Sequence, residues 1–159
     1  MKKKKLLLID MDGVLVDLDL AIENYKKTYT HTPLYDEHPD LIPNIFLDPP
    51  PIQNAIESIK KLNESGKYEM VILTAAPWDN PEANTHKRLW IEKYFGKLFA
   101  RQMIITHRKD LVMGDYLIDD RLANGSDKFS GELLHFGTDY KTVNVNEYPD
   151  WDSILKKLL

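Results

Sequence analysis

The chain has 159 residues, a length that suits one domain with a single core. Its 43% hydrophobic and 29% charged residues are close to the average of globular proteins, which excludes a disordered, fibrous or coiled-coil chain. The net charge is −4, from 21 Lys and Arg against 25 Asp and Glu, and this argues against a broad basic face for a nucleic-acid duplex. Because there is no cysteine, a disulfide framework, a thiol nucleophile and a thiolate metal site are excluded.

The first predicted element is a strand that follows a cluster of lysines at residues 2–5. The apolar run at residues 6–9 is far too short for a signal peptide or a membrane span, so the sequence predicts a cytoplasmic protein with no membrane partner. A short continuous apolar run is typical of a strand buried on both faces of a parallel sheet. Asp10 lies at the carboxyl end of this strand.

Helical and strand patterns alternate along the rest of the chain. The spacing of apolar residues predicts helices over residues 18–29 and 52–62, a third that opens at Asn80 and Pro81 and stops at Gly96, and a last one capped by Asp150. Short apolar runs predict four further strands, at residues 70–74, 103–105, 116–119 and 133–136.

Residues 31–51 interrupt this alternation, because they contain six of the nine prolines. Such a segment predicts an irregular insert, and its aromatic residues Tyr35 and Phe46 favour a lid or cap over a linker. The whole pattern predicts one α/β domain over residues 1–159, with a doubly wound, mostly parallel, five-stranded Rossmann-like sheet. A small irregular or helical cap, at about residues 18–51, would be inserted after the first strand.

Polar residues that could carry chemistry follow several of the predicted strands. In open parallel sheets ligands bind beyond the carboxyl ends of the strands. That rule gathers six residues at one edge: Asp10, Asp12, Thr74, Lys109, Asp119 and Asp120. Two carboxylates about 4 Å apart repel by roughly 4 kcal/mol at an effective dielectric constant of 20, so a positive group must hold them together. A hard cation on oxygen ligands, Mg²⁺ above all, fits this set together with a phosphate.

Four segments resemble motifs I to IV of the haloacid dehalogenase superfamily of phosphotransferases. They are the DMDGVLVD run at residues 10–17, the VILTAAP run at 71–77, Lys109, and the YLIDDR run at 116–121. The HKRLWIEKYFG segment at 86–96, and its spacing to YLIDDR, are similar to the 5'(3')-deoxyribonucleotidases. Motif I followed by motif IV is specific, whereas either motif alone is weak.

The resemblance implies a role for each of the clustered carboxylates. Asp10 would be the nucleophile that becomes an aspartyl phosphate. Asp12 would be the general acid for the leaving oxygen and then the general base for water. Asp10, the backbone carbonyl of Asp12, and Asp119 would bind Mg²⁺, with Asp120 close behind them.

The resemblance also implies how the substrate would be bound. Thr74, Ala75 and Lys109 would hold the transferring phosphoryl group, and Lys87 would reach the phosphate end of the substrate. Independently of the resemblance, Trp78 follows motif II in a proline-bounded loop, a position from which its ring could line the site. The implied substrate is a small molecule, a deoxynucleoside monophosphate, rather than a nucleic-acid polymer.

Two other functions stay open at this point. The family commonly has a base-stacking aromatic residue directly after motif I, and this chain has Leu18, which favours a sugar phosphate or another small phosphoester as the alternative substrate. A receiver-like domain also uses Asp, Thr and Lys around Mg²⁺, but Asp12 argues for turnover instead of a lasting acyl phosphate. The sequence leaves a homodimer open as well.

Overall fold

The computed structural model describes residues 3–29, 32–138 and 144–159. Its strands are β1 (Lys5–Ile9), β2 (Tyr68–Thr74), β3 (Met103–Ile105), β4 (Tyr116–Asp119) and β5 (Glu132–His135). They form one five-stranded sheet in the order β3-β2-β1-β4-β5, and every neighbouring pair is parallel. The chain therefore winds outward from β1 in both directions, which confirms the predicted fold class.

The main core lies on one face of the sheet, beneath three of the helices. In the described residues the helices are α1 (Leu18–Thr28), α2 (Pro33–Glu37), α3 (Ala55–Glu64), α4 (Glu82–Phe95) and α5 (Trp151–Leu158). Apolar side chains of α3, α4 and α5 pack in one cluster against alternate residues of the strands. Trp90 of α4 and Trp151 of α5 are both buried there, and their indole N–H groups donate to backbone carbonyls.

The opposite face of the sheet has a smaller core. Its buried members include Leu8, Leu117 and Phe129. The connections from β3 to β4 and from β4 to β5 contain only single helical turns, at Lys109–Leu111 and Ser126–Lys128. These short crossovers bring the Lys109 loop beside the carboxyl ends of β1 and β4.

One predicted helix start was wrong by a short distance. α4 begins at Glu82 with Pro81 at the N-cap, and Asn80 does not cap it. The Asn80 side-chain amide instead donates to the Asp40 carbonyl at 2.8 Å. The predicted cap at Asp150 is confirmed, because its carboxylate accepts from the Ser153 backbone N–H at 2.8 Å.

The insert after β1 leaves and rejoins the domain at adjacent points. The Asp17 backbone N–H donates to the Pro50 carbonyl at 2.8 Å, and Val16 pairs with Pro51. Between these points the described part of the insert contains α1, the five-residue α2 and a helical turn at Pro39–Leu41, while residues 30 and 31 lie outside the described residues. Its buried side chains Ile42, Ile45 and Phe46 pack with Ala76 and Ala83 of the domain.

None of the helices in the described residues is both long enough and apolar enough to cross a lipid bilayer.

Candidate active site

The carboxyl ends of three neighbouring strands bring polar side chains together. Asp10 follows β1, Thr74 ends β2 and Asp119 ends β4, and these residues are 6%, 0% and 2% exposed. The Asp10 backbone N–H donates to the Ile118 carbonyl at 3.0 Å, which fixes the end of β1 beside β4. The predicted gathering at one sheet edge is therefore what the fold produces.

Lys109 lies between two of the carboxylates. Its Nζ is 2.6 Å from Asp119 Oδ2 and 3.2 Å from Asp10 Oδ1, and the residue is 2% exposed. The Lys109 backbone N–H donates to the Asn124 carbonyl at 2.8 Å, which ties its loop to the segment after β4. A lone lysine at this point of the sequence would be expected on the surface. In the structure Lys109 is buried, and a buried ammonium group needs the close ion pairs that it forms with Asp10 and Asp119.

A second buried lysine organises the other side of the site. Lys87, from α4, places its Nζ 2.6 Å from Asp12 Oδ2 and 3.0 Å from Thr74 Oγ1. Its ammonium group also lies 5.2 Å from the centroid of the Phe46 ring, which belongs to the insert. Lys87 therefore joins the loop after β1, the end of β2 and the insert.

Asp120 occupies a space that only a glycine leaves free. A Cβ added to Gly13 would lie 2.1 Å from Asp120 Oδ2, and Gly13 has a φ of +76°. The other carboxylate oxygen, Asp120 Oδ1, is buried and has no hydrogen-bond partner among the described residues, and the same holds for Asp12 Oδ1. Buried oxygens without a partner are costly unless a cation or a polar ligand reaches them.

The electrostatics of the site show strong mutual repulsion of its acids. Burial, together with the nearby charge of Asp10, raises the pKa of Asp119 to about 7, although Lys109 opposes this rise. Burial and the charges of Asp10 and Asp119 raise the pKa of Asp120 to about 8. Burial works against the ammonium of Lys109, but Asp10 and Asp119 outweigh it and raise the pKa of Lys109.

The arrangement fits a divalent cation. Asp10, Asp119 and Asp120 each offer a carboxylate oxygen within 4.8 Å of the others. Beside them is a cavity of about 10 Å³, room for about one water-sized occupant. The cavity is lined by Asp10, Asp12, Ala75, Lys109, Asp119, Arg121, Ala123 and Asn124. An all-oxygen donor set of high negative charge is the kind that Mg²⁺ or Ca²⁺ prefers.

A larger groove of about 510 Å³ opens next to this cavity. The two share Asp12 and Arg121, and the groove runs past Leu18 toward the segment after β5. Carboxylates dominate its polar lining, with Asp17, Asp19 and Asp150 added to those of the site.

The structure brings together the residues predicted to bind the metal and the phosphate, whereas Trp78, predicted to line the site, lines neither the small cavity nor the groove. Ala75 lines the small cavity and Lys87 is buried in the site, as proposed for phosphate ligands. The contact of Lys87 with Asp12 was not foreseen, since 75 positions separate them. Arg121 lines both the small cavity and the groove, and its position directly after the acidic pair is the sequence signal that marks it.

The fold is the one found in hydrolases of the haloacid dehalogenase superfamily. The chain is similar in structure to a haloacid dehalogenase-like hydrolase from Xanthomonas campestris, with a TM-score of 0.56 and 13% identity over 97% of this chain and 94% of that one. A hydrolase of the same superfamily from Deinococcus radiodurans, solved with bound phosphate and sodium, gives a TM-score of 0.53 and 13% identity over 98% and 88% of the chains. Both likenesses show the fold.

The family follows from sequence comparison. Residues 38–154 match the model of the family "5' nucleotidase, deoxy (Pyrimidine), cytosolic type C protein". A candidate 5'(3')-deoxyribonucleotidase of Vibrio phage KVP40 is 41% identical over 98% of this chain and 85% of its own length. The human cytosolic 5'(3')-deoxyribonucleotidase is 28% identical over 72% of this chain and 69% of its own. The chain belongs to this 5'-nucleotidase family, and it is a phosphoric monoester hydrolase rather than a receiver.

Proposed function

We propose that the protein is a Mg²⁺-dependent 5'(3')-deoxyribonucleotidase that hydrolyses deoxynucleoside monophosphates through an aspartyl phosphate on Asp10. One observation carries the proposal: two buried lysines each hold one carboxylate of motif I, Lys109 on Asp10 and Lys87 on Asp12. The family membership of the chain and the names of its relatives support the nucleotide substrate.

In the first step, an oxygen of Asp10 attacks the phosphorus atom of the substrate in line with the leaving oxygen. The bond between phosphorus and the nucleoside oxygen breaks, and Asp12 gives a proton to that oxygen as the nucleoside leaves. Asp10 thereby carries the phosphoryl group as an acyl phosphate.

In the second step, Asp12 takes a proton from a water molecule whose oxygen attacks the same phosphorus atom. The bond between phosphorus and the Asp10 oxygen breaks, which releases inorganic phosphate and restores the carboxylate. Asp12 ends the cycle protonated, ready for the next leaving group.

The phosphoryl group is held by cations and backbone donors around the small cavity. Lys109, which lines the cavity, and Lys87, which contacts Asp12 and Thr74, supply positive charge, while Thr74 and the backbone of Ala75 supply hydrogen bonds. Phosphoryl transfer depends mainly on such positioning and on stabilising charge on the equatorial oxygens.

Asp10, Asp119 and the backbone carbonyl of Asp12 would hold the Mg²⁺ ion, with Asp120 close behind them; the carboxylate oxygens of Asp10, Asp119 and Asp120, which lie within 4.8 Å of one another, support this proposal. When bound, the ion supplies positive charge to the transferring phosphoryl group and relieves the repulsion among the carboxylates. The unpartnered Asp120 Oδ1 supports this assignment, because a nearby cation would satisfy it.

The insert is proposed to act as the cap of this single domain. Its two ends lie side by side at Asp17 and Pro50, and Phe46 covers Lys87 from the insert side. A cytoplasmic location belongs to the proposal as well, and the family description and the human relative both carry the word cytosolic. A homodimer remains a prediction.

The experiment that tests the proposal is a substrate panel assayed with and without Mg²⁺. We expect dUMP and dTMP to be hydrolysed with a higher kcat/KM than phosphoglycolate or a hexose phosphate, and we expect chelation of the metal to stop all turnover. Equal kcat/KM values across the panel would refute the nucleotidase assignment while leaving the phosphatase intact.

One observation favours a second candidate, a phosphatase of a sugar phosphate or another small phosphoester. Leu18 faces the groove beside Asp12 and has no aromatic ring on which a base could stack. In the same panel, a preference for a hexose phosphate over every nucleotide would select this alternative.

A further inference from the structure

We infer that Trp78, supported by His107, is the surface on which the base of the substrate stacks. The inference rests on the proposed nucleotidase function and names the residue that distinguishes a nucleotide from other phosphoesters. Trp78 is 86% exposed and His107 is exposed as well, and their ring centroids are 6.4 Å apart in an edge-on arrangement.

The two rings project from the two loops that supply the phosphate ligands. Trp78 follows Thr74 by four residues, so it lies within about 14 Å of Thr74 along the chain. His107 precedes Lys109 by two residues. The Thr106 backbone N–H donates to the Thr74 carbonyl at 2.8 Å, so the loops are tied together where they leave the sheet.

The loop that carries Trp78 is fixed by contacts of the residues before and after Trp78 in the chain. Ala76, two residues earlier, is buried against the insert, in the cluster to which Leu18 also belongs. Asn80, two residues later, donates its backbone N–H to the Pro77 carbonyl at 3.2 Å and its side-chain amide to the insert. A fixed loop therefore presents an exposed ring, which lowers the entropy cost of binding a flat partner.

Trp78 would supply the aromatic ring for base stacking that Leu18 does not have. Leu18 packs in the same cluster as Ala76, so the start of the insert adjoins the Trp78 loop. Every nucleobase has a flat face that an indole can cover, whereas a sugar phosphate has none.

The groove on the other side of Asp12 is a poorer place for a base. Its aromatic rings, Phe136 and Trp151, are 2% and 1% exposed, so their faces are already used in packing. Its polar lining is mostly carboxylate, and its exposed apolar lining is aliphatic and offers no free aromatic face. Trp78 therefore has the free aromatic face that the groove does not provide.

The kinetic test compares dUMP with 2-deoxyribose 5-phosphate, which has the same phosphate and sugar but no base. We expect Trp78→Ala to lower the ratio of their kcat/KM values by about 5- to 150-fold, the range that loss of one stacked base implies. Trp78→Phe should keep most of the ratio. Met113→Ala is the matched control, because Met113 is an exposed apolar residue just before β4, at the opposite edge of the sheet.

Two outcomes of this comparison would overturn the inference. An unchanged ratio in Trp78→Ala would place the base elsewhere, such as in the groove. An equal loss for both substrates would mean that Trp78 supports only the phosphate loop. Failure of the proposed function looks different, because then the wild-type protein itself would not prefer dUMP to 2-deoxyribose 5-phosphate.

A binding measurement tests the same contact without catalysis. Trp90 and Trp151 are 0% and 1% exposed, so an added nucleoside can reach the indole of Trp78 but not theirs. We expect deoxyuridine to quench the tryptophan fluorescence of the wild-type protein, 2-deoxyribose to leave it unchanged, and Trp78→Phe to abolish the quenching by deoxyuridine. Quenching that persists in Trp78→Phe, or is absent from the wild type, would contradict the inference.

Discussion

Lys87 Nζ lies 2.6 Å from Asp12 Oδ2, although 75 positions separate the two residues in the chain. The contact places a cation of α4 against the residue proposed as general acid and base. The same ammonium group reaches Thr74 Oγ1, so one side chain orients groups on two loops. Lys87 is 1% exposed, which leaves little room for water to replace it.

Replacing Lys87 should therefore reduce catalysis much more than replacing an exposed lysine of the same helix. We expect Lys87→Met to lower kcat/KM for dUMP by about 100-fold or more, because general acid–base catalysis by a misplaced Asp12 loses most of its effect. Steady-state kinetics measure the change. Lys93→Met is the control, since Lys93 lies on the same helix as Lys87 but forms an exposed ion pair with Asp48 of the insert. Similar activity in both variants would contradict the role given to Lys87.

Asp10 should be essential for turnover and dispensable for folding. Asp10→Asn removes the nucleophile but also removes one of the charges that repel Asp119 and Asp120, so we expect no turnover and little change in Tm. The assay is phosphate release from dUMP, combined with thermal unfolding. Residual activity within tenfold of the wild type would refute Asp10 as nucleophile.

Gly13 offers a test of the close approach of Asp120. We expect Gly13→Ala to weaken activation by Mg²⁺, because the new Cβ would displace the Asp120 carboxylate, whose Oδ2 lies 2.1 Å from that position. Gly66→Ala is a matched control, since Gly66 has a similar φ of +66° and nothing within 4 Å of the added Cβ. Both variants should lose about 1 kcal/mol or more from backbone strain, but only the first should need more Mg²⁺ for half-maximal activity. The same Mg²⁺ requirement in both would show that Asp120 is not part of the metal site.

The raised pKa values of Asp119 and Asp120 predict how stability responds to pH and metal. Both values, about 7 and about 8, lie above those of an unfolded chain, so the folded protein holds extra protons between about pH 4 and pH 8. The protonated Asp119 and Asp120 therefore add to the free energy of unfolding at low pH, and this contribution is lost as the pH rises through 7 and 8. Mg²⁺ binds the deprotonated carboxylates and should reverse this trend.

Thermal unfolding at several pH values checks this prediction. We expect added Mg²⁺ to raise Tm more at pH 8 than at pH 5, and we expect Asp120→Asn to reduce the fall in metal-free Tm between those pH values. A Tm increase by Mg²⁺ that is the same at both pH values would mean that the ion binds elsewhere.

Much of the fold and the acidic edge could be predicted from the sequence. The buried run before Asp10 and the acidic pair after β4 already mark two strand ends, and parallel pairing forces such ends to one edge. Which of the polar side chains would point into the site and be buried there could not be predicted in this way. The burial of Lys109 and Lys87 follows from long-range packing, in which the crossover after β3 and the helix α4 approach the same cavity from different parts of the chain.

Local signals also failed where tertiary contacts outweighed them. Asn80 has the residue type of a helix N-cap, yet its amide is drawn to the Asp40 carbonyl of the insert. Trp78 was expected only to line the site, and nothing local indicated that it pairs with His107 in another loop. Both contacts join segments that are distant in sequence, which periodicity and capping rules do not describe.

The most direct test of the account is chemical mapping of the phosphorylated residue. Asp12→Asn removes the acid of the first step and the base of the second; we expect it to slow the second step more, so that the acyl phosphate accumulates when the variant is mixed with dUMP and Mg²⁺. Borohydride reduction followed by peptide mass spectrometry should then convert Asp10 to homoserine, and only when substrate and Mg²⁺ are both present. Reduction at Asp119 or Asp120 instead, or no modified residue while Asp12→Asn releases deoxyuridine from dUMP, would contradict the assignment of Asp10 as the residue that accepts the phosphoryl group.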